Sequence, residues 1–323
     1  MLYVFYVGLV CVSAQAGLIL FPSLCFSAEK VRLVYPARSL SALHIRVAQE
    51  KGFYRKYGLE VEAIQMRPTI SAAALISGEV RYLASVGSAI RSAGMAAPVK
   101  IVSVANVAPF FSLVARPAYA KIEALKGKEI GLTGNPGGTN DRVMRFILKE
   151  AGLDPHKDVQ LIYAGDPPLL YSSFQGGRFD AMFISLPFPV LAEQQGYRIL
   201  VNAAEKMRVP LSGLAVTDDT LKAARDQVKR MIKADVEARR LIRREKETTV
   251  EVMVSWLGLD RSVARRSYDL YLPAVSGDVT VEREGVRLIL EMEVESGVPI
   301  KVRDPDQIID AKIVEEVKRE LSK

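Results

Sequence analysis

The chain has 323 residues, of which 49% are apolar and 25% charged, so it is long enough for about two globular domains and too apolar for a disordered chain. Its net charge is +7, but the basic residues alternate with acids except in ARRLIRREK at 238–246, which reads as the solvated face of a helix and not as a nucleic-acid surface. Both cysteines, Cys11 and Cys25, fall in the first 28 residues, which excludes a disulfide scaffold, a thiolate metal site and a cysteine nucleophile beyond residue 28.

Residues 1–28 contain no Asp, Glu, Lys or Arg, and they read as a secretory signal peptide cut near Ala28. The missing basic start and the bulky Phe26 leave an uncleaved membrane anchor as the alternative. From there the elements alternate. KVRLVYP, 30–36, is a β-branched run ending at proline. Residues 41–57 carry Leu43, Val47, Ala48 and Phe53 on one helical face, with Ser41 as the expected N-cap, and Gly58 ends the helix. LEVEAIQM is the next strand, and Thr69–Ile76 is an Ala-rich helix closed by Gly78. VKIVSV, 99–104, is a further strand, and FFSLVARP, 110–117, leads away from this first unit. A strand runs to Thr133, and NPGGTND feeds a helix whose buried stripe is Val143, Phe146, Ile147 and Ala151. PFPVLAEQQG is a short helix, YRILVNA a strand, and LSGLAVTDD, 211–219, carries the chain back. From Thr220 onward helices follow one another at 220–246, 248–257, 260–270, 280–295 and 305–321. This tail holds no cluster of site-like residues and reads as a packing layer on the first unit.

A repeat organises these elements. KGFYRKYGLEVEAIQ with SAAALISGEVRYLAS, ending at Ser85, is echoed by LKEAGLDPHKDVQLIY with PLLYSSFQGGRFDAMFIS, ending at Ser185. Two similar α/β units imply two lobes, each a mainly parallel sheet flanked by helices, and a cleft between them suited to a small ligand.

Ligands of open α/β sheets bind off the carboxyl ends of the strands. The loops expected there are hydroxyl-bearing or glycine-rich: Ser39 and Ser41, Thr69, Ser85, Gly87 and Ser88 in the first lobe, and Gly137, Gly138, Thr139, Asn140, Ser185 and Pro187 in the second. GNPGGTND offers backbone N–H groups at a helix N-terminus, where anionic groups are favoured. It lacks the Gly-Lys-Ser/Thr of a P-loop and the GxGxxG of a dinucleotide site, and a plain strand-to-helix turn capped by Thr139 or Asn140 is the other reading. The two histidines, His44 and His156, stand in no metal-ligand pattern, so neither a metal nor another cofactor is expected. His44 lies one turn into a helix that borders the cleft, where a packing role outweighs ligand contact.

KGFYRKYGLEVE, ALISGEV, ALKGKEIGL, KEAGL and GRFDA, in that order and spacing, resemble the substrate-binding proteins of ABC importers, in the subfamily that includes binders of sulfonates, taurine, nitrate and the thiamine pyrimidine precursor. The resemblance covers about residues 30–215. It implies the type II periplasmic-binding fold, two α/β lobes joined by crossings at about 107–117 and 208–217, with the ligand trapped by hinge closure. The expected division is a signal peptide at 1–28, a first lobe from 29–110 and 215–323, and a second lobe at 111–214. Where the family has Gly-x-x-Asp, this chain has Gly78-Glu79-Val80-Arg81, while the second copy keeps Asp180; Arg67-Pro68-Thr69 replaces a glycine pair. These departures imply a pocket of different shape and more positive charge. The function implied is an extracytoplasmic, periplasmic binding protein that is not an enzyme. It would act as a monomer, take a small organic and preferably anionic ligand, and deliver it to an ABC permease, with no nucleic-acid partner. An enzyme of the thiamine-pyrimidine-synthase-like branch and a ligand-sensing subunit of a membrane receptor are the alternatives.

Overall fold

The computed structural model describes residues 28–322, so residues 1–27, where a signal peptide is expected, and both cysteines lie outside the described residues. Ten strands form two sheets: β1 (Glu29–Tyr35), β2 (Leu59–Gln65), β3 (Tyr82–Leu83), β4 (Val99–Asn106), β5 (Phe111–Ala115), β6 (Lys128–Leu132), β7 (Val159–Tyr163), β8 (Ala181–Ser185), β9 (Arg198–Asn202) and β10 (Ser212–Thr217). The orders are β2-β1-β3-β10-β4 and β7-β6-β8-β5-β9. In each sheet the first three strands are parallel and joined through helices, as the alternating sequence predicts.

The repeat is visible in three dimensions. β2 and β7 are the corresponding outer strands, and β3 and β8 the corresponding third strands. Gly78 and Gly177, which end the helices before β3 and β8, both take left-handed backbone at φ +79° and +92°, a conformation that favours glycine.

Two sequence expectations change. FFSLVARP and LSGLAVTDD do not merely carry the chain between lobes. Each forms a strand, β5 and β10, of the sheet it enters, and each runs antiparallel to both neighbours. A strand that arrives from the other lobe enters from the opposite end of the sheet, so it cannot run parallel there. The linking segments are therefore shorter than expected, residues 107–110 and 203–211. The second change is in the first helix, which breaks into a 3-10 turn (Leu40–Ala42), a helix (Leu43–Glu50) and a short helix (Phe53–Lys56). Gly52, at φ +73°, separates the last two. Ser41 consequently lies within the turn and is not the N-cap.

The tail packs on the first sheet through the 20-residue helix Arg225–Arg244, which buries Val228, Met231, Ile232 and Val236. It also covers the exposed edge of β4. The Ile101 N–H donates to the Ile308 carbonyl at 2.9 Å, and the Asp310 N–H donates to the Ile101 carbonyl at 3.1 Å. An edge closed this way offers no row of free backbone groups for self-association. Among the described residues, no helix is long and apolar enough to cross a membrane.

Candidate functional site

Both lobes present helix N-termini at the carboxyl ends of their strands. In the first lobe Ser85 follows β3 and precedes the helix Val86–Gly94; in the second, Gly138 precedes the helix Thr139–Glu150. These two N-termini meet. A Cβ added to Gly87 would lie 3.1 Å from Thr139 Oγ1 and 4.0 Å from the Pro210 carbonyl of the second linking segment. Gly87 is thus needed for close approach, and the lobes are in contact where the sequence placed a cleft.

The polar atoms at this junction are incompletely paired. Ser85, 8% exposed, has no hydrogen-bond partner for its Oγ. Asn140 is equally buried; its Nδ2 donates to Thr133 Oγ1 at 2.6 Å, and its Oδ1 has no partner. Buried polar groups left unpaired cost stability, so such atoms mark places where a ligand group can complete the bonding. The first-turn N–H groups of both helices likewise lack intrahelical acceptors and carry the positive end of the helix dipole.

The glycine loop works differently from the expectation of free backbone donors. Gly137 N–H donates to Asp141 Oδ2 at 2.8 Å, and Gly138 N–H donates to the Asn135 carbonyl at 3.0 Å. Asp141 sits at the third helical position and reaches back across the N-terminus, while its Oδ1 accepts from Tyr163 Oη at 2.6 Å and Arg145 Nε at 2.7 Å. Gly137 is at φ +72°, which lets the loop turn into this arrangement. The amides of Gly137 and Gly138 therefore hold the loop, and those of Thr139 and Asn140, in the first turn of the helix, have no intrahelical acceptor.

The other expected residues stand at the strand ends or in the loops and first helical turns that follow the strands. Ser39 Oγ and Ser41 Oγ are 2.8 Å apart and bond to each other. Ser88 is half-buried in the helix after Ser85. Ser185 is buried at the end of β8 opposite Phe111, and Pro187 follows it through a cis peptide bond. Thr69 occupies the first turn of the helix Pro68–Ile76, and its side chain lies outside the described residues.

The departure at Arg81 does not make the site cationic. Arg81 lies 3.9 Å from Glu29, at the amino end of β1, and so at the far end of the sheet from the ligand loops. Asp180, its counterpart, accepts from Tyr119 Oη at 2.5 Å and from the Glu129 N–H at 3.1 Å, again at the amino ends. Arg38 turns toward the tail, where it donates to the Trp256 carbonyl near the end of the helix Lys246–Leu257.

His44 is buried inside the first lobe. Its Nδ1 is 2.5 Å from Asp235 Oδ1; Asp235 Oδ2 also accepts from Ser103 Oγ at 2.9 Å and Arg239 Nε at 3.1 Å. Burial by itself would raise the Asp235 carboxyl, but Arg239 and His44 together hold it well below the usual carboxylate range.

Sequence reasoning missed Arg91, Arg142 and Glu293. Glu293 lies on the tail helix Arg283–Glu295, is 2% exposed, and pairs with Arg142 of the second lobe; Arg91 Nε of the first lobe is 3.3 Å from its other oxygen. Burial pushes the Glu293 carboxyl upward, and the two guanidinium groups oppose that rise. The only local signal was the spacing of Arg91 and Arg142, each about one turn beyond Gly87 and Thr139. Two surface cavities of about 470 and 600 Å³ lie elsewhere, one against Arg225 and Arg230 of the tail and one beside Val107 and Arg208. Their charged walls are already paired internally, as in Arg230 with Glu29 and Arg208 with Glu282.

The solved structures that this fold resembles include periplasmic binding proteins. The aliphatic sulphonate binding protein SsuA of Escherichia coli superposes with a TM-score of 0.71 at 19% identity, covering 87% of this chain and 92% of that one. The nitrate-binding protein NrtA of Synechocystis PCC 6803 superposes at 0.72 and 17%, covering 91% and 89%. A desulfurization enzyme, DSZB, shares the fold at 0.68 and 13%, covering 91% and 99%. In sequence, YtlA of Bacillus subtilis (strain 168), described as a candidate binding protein, is 24% identical over 303 residues, 90% of each chain. The model of the NMT1/THI5-like family matches residues 41–242, more than half of the chain, and the protein belongs to that family.

Proposed function

We propose that this protein is an extracytoplasmic solute-binding protein of an ABC importer that closes its two lobes on a small organic anion. The observation that carries this reading is the meeting of two helix N-termini at Gly87 and Thr139 beside the unpaired Ser85 Oγ and Asn140 Oδ1. Converging N–H groups and dipoles suit a negatively charged head group. The orphaned Asn140 oxygen accepts only, so the solute also carries an N–H or O–H donor. A permease partner is supported by the likeness to the periplasmic sulphonate-binding SsuA and nitrate-binding NrtA, and export agrees with the apolar first 28 residues. The thiamine-pyrimidine-synthase-like enzyme reading has one enzyme, DSZB, as a fold neighbour, but no residue set at the Gly87–Thr139 junction favours it.

The test is a thermal-shift screen with sulfonates, nitrate, carboxylates and pyrimidines. A solute at 100 times its Kd adds about 2.7 kcal/mol of stability. One chemical class should raise the melting temperature, and Thr139→Trp or Ser85→Phe should abolish that rise while leaving the unliganded protein folded. A rise that survives both substitutions would place the site elsewhere.

A further inference from the structure

The tail helix Arg283–Glu295 touches three parts of the molecule that must move relative to one another if the lobes open. It is fastened to the first lobe: a Cβ on Gly94 would lie 2.8 Å from Leu290, and the Gly94 carbonyl accepts from the N–H groups of Lys301 and Val302 at 2.8 and 2.9 Å. It lies on the second linking segment, where a Cβ on Gly285 would be 2.8 Å from Pro210. At its far end it reaches the second lobe. There Glu293 pairs with Arg142, Arg142 Nε lies 3.3 Å from Ser296 Oγ, and Lys149 pairs with Glu295 at 3.2 Å. Arg142 also stands beside the glycine loop, with Nη2 3.5 Å from where a Cβ of Gly137 would be.

Glu293 therefore bridges two arginines, one on each of the helices whose N-termini meet at the site. Opening the lobes would leave Arg91 with Glu293, because both belong to the first lobe and its tail, and would separate Arg142. We propose that Glu293 is a positioning residue that holds the second lobe's ligand helix in the closed arrangement, so that the tail sets the balance between open and closed forms. Removing one partner of a buried pair leaves an uncompensated charge, and that charge returns to water when the lobes part.

The inference rests on the reading of a protein that closes on its solute, but its test needs no solute. Spin labels at Lys51→Cys in the first lobe and Lys157→Cys in the second, in a chain with Cys11→Ser and Cys25→Ser, report the inter-lobe distance by pulsed electron resonance. Glu293→Gln should shift the distribution to longer distances. Arg142→Gln, which leaves Glu293 with Arg91, should shift it in the same direction, so the test stands even if one variant folds poorly. A solute that binds the closed form should bind about tenfold more weakly to either variant, because fewer molecules are poised to accept it. Unchanged distances in both folded variants would overturn the positioning role, even if a solute had been found. Longer distances with no solute from any class would uphold the role and count against the solute-binding reading.

Discussion

At the scale of single residues, the deepest commitment in the molecule is Asp235. It lies 1% exposed and accepts from His44, Ser103 and Arg239, and Arg239 itself is fully buried. Replacing Asp235 with Ala would leave the buried guanidinium without its countercharge, although the Ser276 and Asp278 carbonyls and Ser103 Oγ still accept from it, and urea denaturation should show a loss of about 3–5 kcal/mol. A loss under about 1 kcal/mol would mean that water or other carbonyls satisfy Arg239. Its carboxyl also titrates lower in the folded protein than in the unfolded chain. A depressed carboxylate contributes stability that is fully present above its unfolded value near 4 and is lost as pH falls below that. Stability should therefore drop on acidification below about pH 4. Asp235→Asn should flatten that acid limb, and an unchanged slope in the variant would assign acid sensitivity to other groups. Glu320, held at about 2 by Lys229 and Lys233, works in the same direction but is partly exposed and contributes less.

Among the elements, the contact that the proposed closure depends on is the meeting of the helices Val86–Gly94 and Thr139–Glu150. A Cβ at Gly87 would lie 3.1 Å from Thr139 Oγ1, so any side chain there crowds the second lobe. Gly87→Val should push the lobes apart, weakening solute binding while the far-UV spectrum stays native, since Gly87 belongs to the first lobe's helix Val86–Gly94, has ordinary helical backbone and meets Thr139 of the second lobe. Retained affinity in a folded variant would mean that the helices meet differently when a solute is bound. Near the first linking segment, Phe110 stacks edge-on against Tyr271 at 5.2 Å, and Tyr271 Oη accepts from Asn106 Nδ2 at 2.9 Å. Asn106 Oδ1 in turn accepts from Ser212 Oγ at 2.5 Å, so the strand ends that flank both linking segments are tied to one tail helix end.

For the whole molecule, those ties and the Glu293 bridge predict cooperative unfolding. Trp256, the single tryptophan, sits in the tail beside the first lobe, whereas far-UV ellipticity reports both lobes. The two signals should follow one urea transition. A tryptophan transition displaced from the ellipticity transition would show that the lobes unfold separately and that the bridging contacts add little to stability.

Local chemistry carries far in this chain. Apolar periodicity marks β2 and the helix Thr139–Glu150, glycines end the repeated helices, and the repeat itself announces two lobes; each of these depends only on neighbours within a few turns. The meeting of Gly87 with Thr139 was half legible, because strand-end loops converge in any such fold, but which loop meets which depends on how the lobes are set. What only the tertiary structure decided is non-local. FFSLVARP and LSGLAVTDD read as connections because nothing in a strand's own sequence says that it will enter a distant sheet from the opposite end. The glycine amides looked free until Asp141 was seen to reach back to them. Glu293 falls in a tail that read only as a packing layer, and its partner Arg142 lies 151 residues away, a separation at which no periodicity can signal a pair. The sequence by itself determined the parts and their order; the packing of the tail against both lobes determined which polar groups, Glu293 and Arg142 among them, lose water and pair across the lobes.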